Sequence, residues 1–182
     1  GLCDKPLMKD TYNEGDLIAI TGDIGHAALG FELDVLDNVY VKKALRPYAR
    51  LKEGIVLRDF ATSATDITDG LASELYEIKK DGFGFMIYEE MLEISDEYKN
   101  MASKLDLDYL DLILPVGEDF ELLFTISKEN LKKLLQKLCV LFTTSPNTMI
   151  FSVSMSHLNL MQLLMHSPET SVGPLFPVVI LH

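Results

Sequence analysis

The sequence has few cysteines, few positive charges and no long apolar run, and each shortage excludes a class of protein. Its two cysteines, Cys3 and Cys139, lie far apart in a chain with only four histidines, so neither a disulfide framework nor a zinc site is predicted. No apolar run reaches the roughly 18 residues of a membrane span, and no basic-then-apolar secretory leader is visible. We therefore expect a cytoplasmic protein with no membrane partner.

Acidic residues outnumber basic residues by 28 to 16, which gives a formal net charge of −12. The resulting field repels polyanions, so nucleic acid is not an expected partner. A small phosphate ligand can still bind through a bridging metal ion. The length of 182 residues, with 48% hydrophobic and 24% charged residues, is sufficient for one globular domain.

The distribution of charge changes near Cys139. Residues 140–182 carry Glu169 as their only charged side chain apart from three histidines, whereas the first 139 residues hold all 16 lysines and arginines. We divide the chain here into a domain of residues 1–139 and an atypical tail of residues 140–182. The tail is either a buried strand and helix at the end of the domain or a foreign or frame-shifted sequence.

Before that boundary, apolar periodicity alternates between the period of a strand and that of a helix, which predicts a layered α/β (α+β) architecture. The predicted strands cover residues 16–21, 83–88 and 121–126. The predicted helices follow the turns at 22–25 and 66–70 and also cover residues 41–45, 95–105 and 127–138.

The most informative segment is Asp66-Ile67-Thr68-Asp69-Gly70, which immediately precedes a predicted helix. Magnesium prefers oxygen ligands and commonly uses one or two carboxylates while phosphate groups complete its shell. A helix amino terminus also attracts phosphate oxygens. The segment therefore predicts a site for a metal and a phosphate, and the alternative is that Thr68 or Asp69 only caps the helix.

A second acidic segment, Gly117-Glu118-Asp119-Phe120-Glu121, precedes the last predicted strand. On an extended strand, Asp119 and Glu121 would share one face and present carboxylates to a ligand, with Glu118 at the turn best placed to reach a cleft. The alternative is a solvated strand entrance. Candidate phosphate contacts are Lys9, Arg46, Arg50 and Arg58, which are otherwise ordinary surface groups.

Four segments, in their order and spacing, resemble the carboxyl-terminal half of the thiamine-monophosphate kinases over residues 9–138. They are residues 15–22 (GDLIAITG), Arg46-Pro47, residues 66–71 (DITDGL) and residues 117–124 (GEDFELLF). The resemblance implies a mixed sheet covered by helices, as in the wider superfamily of aminoimidazole ribonucleotide synthetase, selenophosphate synthetase and a hydrogenase maturation protein.

The resemblance also implies an activity, the ATP-dependent phosphorylation of thiamine monophosphate to thiamine diphosphate. Asp66 and Asp69 would be ligands of Mg²⁺, Thr68 and Lys9 would contact ATP, and Glu118 would contact thiamine monophosphate. No catalytic residue is assigned. Lys9 stands where members of the family often have an arginine, and a lysine lacks the bidentate fork of arginine.

The resemblance further implies that the amino-terminal domain, which carries more metal-binding aspartates and forms a homodimer in the family, is missing from this sequence. We therefore expect this chain to be inactive alone. Two alternatives remain open, namely a non-catalytic remnant or binding module of the same fold, and another ATP-dependent synthetase of the superfamily.

Overall fold

The computed structural model describes residues 4–89, 92, 94–142, 151–152 and 179–180, with side chains considered up to residue 135. In chain order, its elements are β1 (Leu17–Thr21), α1 (His26–Phe31), α2 (Val39–Leu45), α3 (Leu51–Leu57), β2 (Ala61–Asp66), α4 (Leu71–Ile78), α5 (Asp96–Lys104), α6 (Tyr109–Ile113), β3 (Leu122–Ile126), α7 (Lys128–Phe142), β4 (Phe151–Ser152) and β5 (Val179–Ile180).

Strand β3 lies between β1 and β2 and is antiparallel to both. Leu17 pairs with Ile126 on one side of β3, and Asp66 pairs with Leu122 on the other. Strands β4 and β5 pair with β1 and are also antiparallel to it. Every pairing among the described strands is thus antiparallel, where the resemblance implied a mixed sheet; β1 and β2 run in the same direction but β3 separates them.

Helices cover both faces of this sheet, which confirms the layered α+β architecture. Ile18 and Ile20 of β1 point into a core shared with α1, α2, α4, α5 and α6, whereas Leu17 and Ala19 point into a second core formed with α3 and α7. Because successive strand side chains point to opposite faces, a strand covered on both sides must be apolar throughout. Four consecutive apolar residues in β1 satisfy this requirement.

The structure confirms most of the predicted elements and corrects one. The strand predicted for residues 83–88 does not form; the segment contains only an isolated bridge at Phe85. Its alternating apolar side chains pack against the core, and the Phe83 ring centroid lies 5.5 Å from that of Tyr12. The alternation of apolar and polar residues in this segment therefore marks the buried side of an irregular chain rather than a strand. Helices α3 and α6 and strand β2 were not predicted from the sequence.

The predicted tail, residues 140–182, lies outside the described residues except for the last turn of α7 and the backbones of β4 and β5. Its assignment as a foreign or frame-shifted sequence, and the boundary near Cys139, therefore stay predictions. Of the helices in the described part of the chain, none combines the length and apolar character that crossing a membrane requires.

Candidate functional site

Three acidic or hydroxyl-bearing segments meet at one edge of the sheet. Because β1 and β2 are both antiparallel to β3, the carboxyl ends of β1 and β2 lie at the edge where β3 begins. Thr21 ends β1, Asp66 ends β2 and Leu122 begins β3. The topology therefore brings the 66–70 turn beside the 117–121 segment, about fifty residues later in the chain.

The carboxylates of the 66–70 turn face solvent. Asp66 and Asp69 are exposed, whereas Ile67 between them is 1% exposed and packs in the core. Within the described residues, neither carboxylate forms an ion pair. The buried isoleucine fixes the backbone of the turn while both acids stay available to a ligand.

The side chains of this turn do not cap the helix that follows it. The N-cap of α4 is Gly70, and no side chain makes a capping hydrogen bond there. Gly70 has a φ of 96°, and a Cβ at this position would lie 2.6 Å from the carbonyl oxygen of Leu114, so only glycine fits. The capping alternative for Thr68 and Asp69 is therefore wrong.

A buried carboxylate that was not predicted from the sequence accepts hydrogen bonds from the 66–70 turn on the side that faces the protein interior. Glu74 is 2% exposed, and its Oε1 accepts hydrogen bonds from the Thr68 N–H at 3.1 Å, the Thr68 hydroxyl at 2.9 Å and the Asp69 N–H at 3.3 Å. An acidic residue in the first turn of a helix is the sequence signal that could have identified it.

Main-chain hydrogen bonds join the 66–70 turn to the 117–121 segment. The N–H groups of Glu118 and Phe120 donate to the carbonyls of Thr68 and Ile67 at 2.9 and 3.0 Å. The Ile67 N–H donates in return to the Glu121 carbonyl at 2.8 Å. Three bonds between segments so distant in sequence give the two acidic motifs one common backbone frame.

Gly117 permits this close approach, since a Cβ at its position would lie 1.9 Å from the carbonyl oxygen of Thr68. The next residue, Glu118, has a φ of 68°, a left-handed conformation that is uncommon outside glycine and that clusters at functional sites. Its side chain is exposed at the same edge as Asp66 and Asp69. The structure thus places the three predicted acids around one corner of the domain.

Asp119 has a structural role and does not face a ligand. It is buried, and its carboxylate oxygens accept hydrogen bonds from the Gly25 N–H at 2.6 Å and the Ala27 N–H at 3.0 Å. Burial raises the pKa of Asp119, and the two backbone hydrogen bonds oppose that rise. This carboxylate fixes the turn between β1 and α1.

Glu121 is also buried, at 1% exposed, and it holds a basic partner. Arg50 donates to it through Nε at 2.6 Å and Nη2 at 2.7 Å, and the Thr21 hydroxyl donates at 2.8 Å. The expectation that Asp119 and Glu121 present carboxylates to a ligand is therefore wrong. Both acids lie in the protein interior, whereas the expectation required them to line an open surface.

Of the predicted basic contacts, Arg50 is committed to that buried pair, while Arg46 and Arg58 are exposed. Lys9 is exposed and its Nζ lies 2.9 Å from Glu77 Oε1. The hydrogen bond to Glu77 raises the pKa of Lys9, and the charge of Asp66 adds to the effect. Lys9 is thus near the acidic corner but paired with Glu77.

The donor set at this corner fits part of a magnesium shell. Among the described residues, no three histidine, cysteine, aspartate or glutamate side chains lie close enough to form a metal site by themselves. Two exposed carboxylates are, however, what magnesium commonly takes from a protein, with water and phosphate oxygens filling the other positions. Asp66 and Asp69 supply oxygen donors of this kind.

The sequence is similar to known kinases. It is 42% identical to the thiamine-monophosphate kinase of Buchnera aphidicola subsp. Schizaphis graminum, in an alignment that covers 70% of this chain and 42% of that protein. It is 37% identical to the thiamine-monophosphate kinase of Pyrococcus abyssi, with 74% and 44% covered. The chain thus spans less than half the length of these curated relatives. No family model matches the sequence.

Solved structures that superpose on this chain include a thiamine-monophosphate kinase, as the sequence relatives do. The thiamine-monophosphate kinase of Stenotrophomonas maltophilia superposes with a TM-score of 0.66 and 26% identity, covering 76% of this chain and 48% of that one. AaThiL complexed with AMPPCP and TMP superposes with a TM-score of 0.61 and 28% identity, covering 68% and 43%. The hydrogenase maturation protein HypE of Escherichia coli shares the fold alone, with a TM-score of 0.55 and 16% identity over 74% of this chain and 42% of that one.

Proposed function

Since this chain is a relative of the thiamine-monophosphate kinases, we propose that it belongs to an enzyme that transfers the terminal phosphoryl group of ATP to thiamine monophosphate, giving thiamine diphosphate and ADP. The observation that carries the proposal is the common backbone frame of residues 66–70 and 117–121, with three exposed acids at one corner. That AaThiL binds AMPPCP and TMP supports ATP and thiamine monophosphate as the two substrates.

In this proposal, Asp66 and Asp69 hold Mg²⁺, which supplies neutralisation of the phosphate oxygens when it is bound. Phosphoryl transfer needs little covalent help from a protein, so the residues act chiefly by holding the reactants in place. The exposed carboxylate of Glu118 attracts the cationic thiazolium of the acceptor or accepts a hydrogen bond from its aminopyrimidine.

Thr68 and Lys9 complete the proposed nucleotide contacts. The Thr68 hydroxyl donates its proton to Glu74, so its oxygen can only accept from or coordinate a ligand. This suits a contact with the metal ion of a metal–nucleotide complex. Lys9 is paired with Glu77, but an exposed ion pair of this kind contributes little stability, so it would oppose a phosphate contact only weakly.

We propose further that this chain supplies one half of the active enzyme, as its coverage of the relatives supports. The test is a chimaera in which residues 4–142 replace the aligned segment of the Buchnera kinase. We expect it to form thiamine diphosphate from ATP and thiamine monophosphate, and Asp66→Asn to reduce kcat/KM strongly. A folded chimaera that binds both substrates without turnover would instead favour a non-catalytic module, and turnover only with a different acceptor would favour another synthetase.

A further inference from the structure

Hydrogen bonds hold Thr68 and Asp69 of the 66–70 turn in place. On the carbonyl side, the Thr68 oxygen receives the Glu118 N–H. On the amide side, the Thr68 and Asp69 N–H groups both donate to Glu74 Oε1. The turn is therefore clamped from both sides, and Glu74 is the only described side chain that forms hydrogen bonds with these two amides.

Glu74 differs from Glu77, the other acid of helix α4. It is 2% exposed, whereas Glu77 on the next turn of α4 is exposed and paired with Lys9. A carboxylate is rarely buried unless hydrogen bonds replace its hydration, and one oxygen of Glu74 receives three of them. All three come from Thr68 and Asp69, so the buried charge acts on the turn.

The hydrogen bonds also determine which groups the turn can offer to a ligand. Both amide protons and the hydroxyl proton are directed at Glu74, so the outward side of Thr68 and Asp69 presents oxygen acceptors. Hard cations bind such oxygens, and partners that orient metal ligands typically affect metal affinity by roughly 10- to 100-fold.

We propose that Glu74 is a positioning residue that holds the Thr68–Asp69 backbone and the Thr68 hydroxyl so that the turn presents only oxygen acceptors to a divalent cation. This inference rests on the proposed function, because it requires that the turn binds a cation. It assigns Glu74 no contact with the cation or the substrates.

The test uses the complete 182-residue chain with Mn²⁺ as the probe, titrated by calorimetry. Glu74→Gln removes the charge but keeps an oxygen acceptor, and Glu74→Ala removes both. We expect Glu74→Ala to weaken Mn²⁺ binding roughly tenfold or more and Glu74→Gln to weaken it by less than about threefold. Equal losses in both variants would show an effect of charge alone and overturn the proposal, as would wild-type affinity in Glu74→Ala.

A matched control is Asp16→Asn, which alters another buried carboxylate that accepts hydrogen bonds, from the Asn13 N–H and the Thr62 hydroxyl at the opposite end of the strands. We expect its Mn²⁺ affinity to stay within about twofold of wild type. A loss as large as that of Glu74→Ala would mean that general destabilisation explains both.

Amide hydrogen exchange of the metal-free wild-type chain gives a second readout that needs no variant. The Thr68 and Asp69 amides should exchange slowly, and Glu74→Ala should accelerate both; exchange at the rate of a free peptide in the wild type would contradict the clamp. If the wild type shows this protection but binds no Mn²⁺, the proposed function fails, and the cation role of Glu74 fails with it. If it binds Mn²⁺ and Glu74→Ala binds equally well, only the positioning inference fails.

Discussion

Residues close in sequence have different roles in the 117–121 segment because their side chains meet different partners. Glu118 is exposed, whereas Asp119 and Glu121 are buried. Strand alternation also puts Asp119 and Glu121 on one side and Glu118 on the other, but it does not show which side the rest of the protein covers. Main-chain N–H groups bind the Asp119 carboxylate and Arg50 binds that of Glu121, which leaves Glu118 as the acid available to a ligand.

Gly117 provides a test of the contact between the two acidic motifs. We expect Gly117→Ala to lower the free energy of unfolding by about 1–3 kcal/mol, because a Cβ would lie 1.9 Å from the Thr68 carbonyl oxygen. Urea unfolding measures the change. Gly84→Ala is the matched control, since no described residue other than its chain neighbours has a heavy atom within 4 Å of the added Cβ, and a similar loss in both variants would contradict the predicted contact.

His26 provides a test based on pH. Burial, with a smaller contribution from the Lys43 charge, lowers its pKa from 6.5 to about 4. The unfolded chain therefore takes up a proton more readily than the folded chain, so this contribution to stability is complete above about pH 6.5 and is lost as the pH falls toward 4. His26→Phe keeps an aromatic ring against Tyr40 and Tyr98 but does not titrate.

We expect the wild type to lose roughly 1–3 kcal/mol more unfolding free energy than His26→Phe between pH 7 and pH 4. Chemical unfolding at a series of pH values measures the difference. Parallel pH profiles for the two proteins would show that His26 is not held neutral by the fold.

At the scale of elements, the buried Arg50–Glu121 pair connects the start of α3 to the residue before β3. Arg50 also lies 3.5 Å from Glu53, whose Oε2 has no hydrogen-bond partner among the described residues. Removing one partner of a buried pair leaves an uncompensated charge, which is more costly than the absence of both. Among the described residues, Arg50 is the only cation paired with Glu53, whereas Glu121 also has Lys43, whose Nζ lies 3.4 Å from its Oε1.

Arg50→Met should therefore destabilise the protein strongly, by about 3–5 kcal/mol, because it removes the described cation beside Glu53 and leaves Glu121 with Lys43 alone. Thermal or urea unfolding measures this change. Arg58→Met removes an exposed arginine whose ion pair with Asp59 is 3.8 Å long, and we expect it to alter stability by less than about 1 kcal/mol. Comparable effects in the two variants would contradict the importance assigned to the buried pair.

The elements that were predicted well have a clear apolar pattern. Strand β1 is an uninterrupted apolar run that begins one residue later than predicted, and helix α4 begins directly after the 66–70 turn, as predicted. Strand β2 was missed because its sequence, ATSATD, is small and polar. Its hydroxyls bond within the protein instead, as Thr62 and Ser63 each lie 2.7 Å from the Thr125 hydroxyl. A hydropathy pattern does not reveal hydrogen bonds between hydroxyl groups of this kind.

The candidate site was predicted only in part, because some of its residues act through tertiary contacts. The exposed acids Asp66, Asp69 and Glu118 form local motifs, which a sequence displays directly. Glu74 acts across a turn, and Glu121 acts through Arg50, which precedes it by 71 residues. Their roles depend on tertiary contacts that neither motif nor periodicity contains.

At the scale of the whole molecule, the net charge of −12 opposes the approach of an anionic nucleotide. We therefore expect AMPPCP to bind this chain measurably with Mg²⁺, and at least roughly tenfold more weakly when EDTA removes the metal. Calorimetric titration under both conditions measures the ratio. Equal affinity with and without metal would contradict a bridging cation and would direct attention to the basic side chains.

The proposed role of Asp66 in metal–nucleotide binding can be tested directly in the 182-residue chain. AMPPCP is titrated into wild type, Asp66→Asn and Asp81→Asn at saturating Mg²⁺, where Asp81 is an exposed carboxylate outside the proposed site. We expect Asp66→Asn to bind at least roughly tenfold more weakly and Asp81→Asn to stay within about twofold of wild type. Wild-type affinity in Asp66→Asn would contradict the proposed metal-binding role of Asp66.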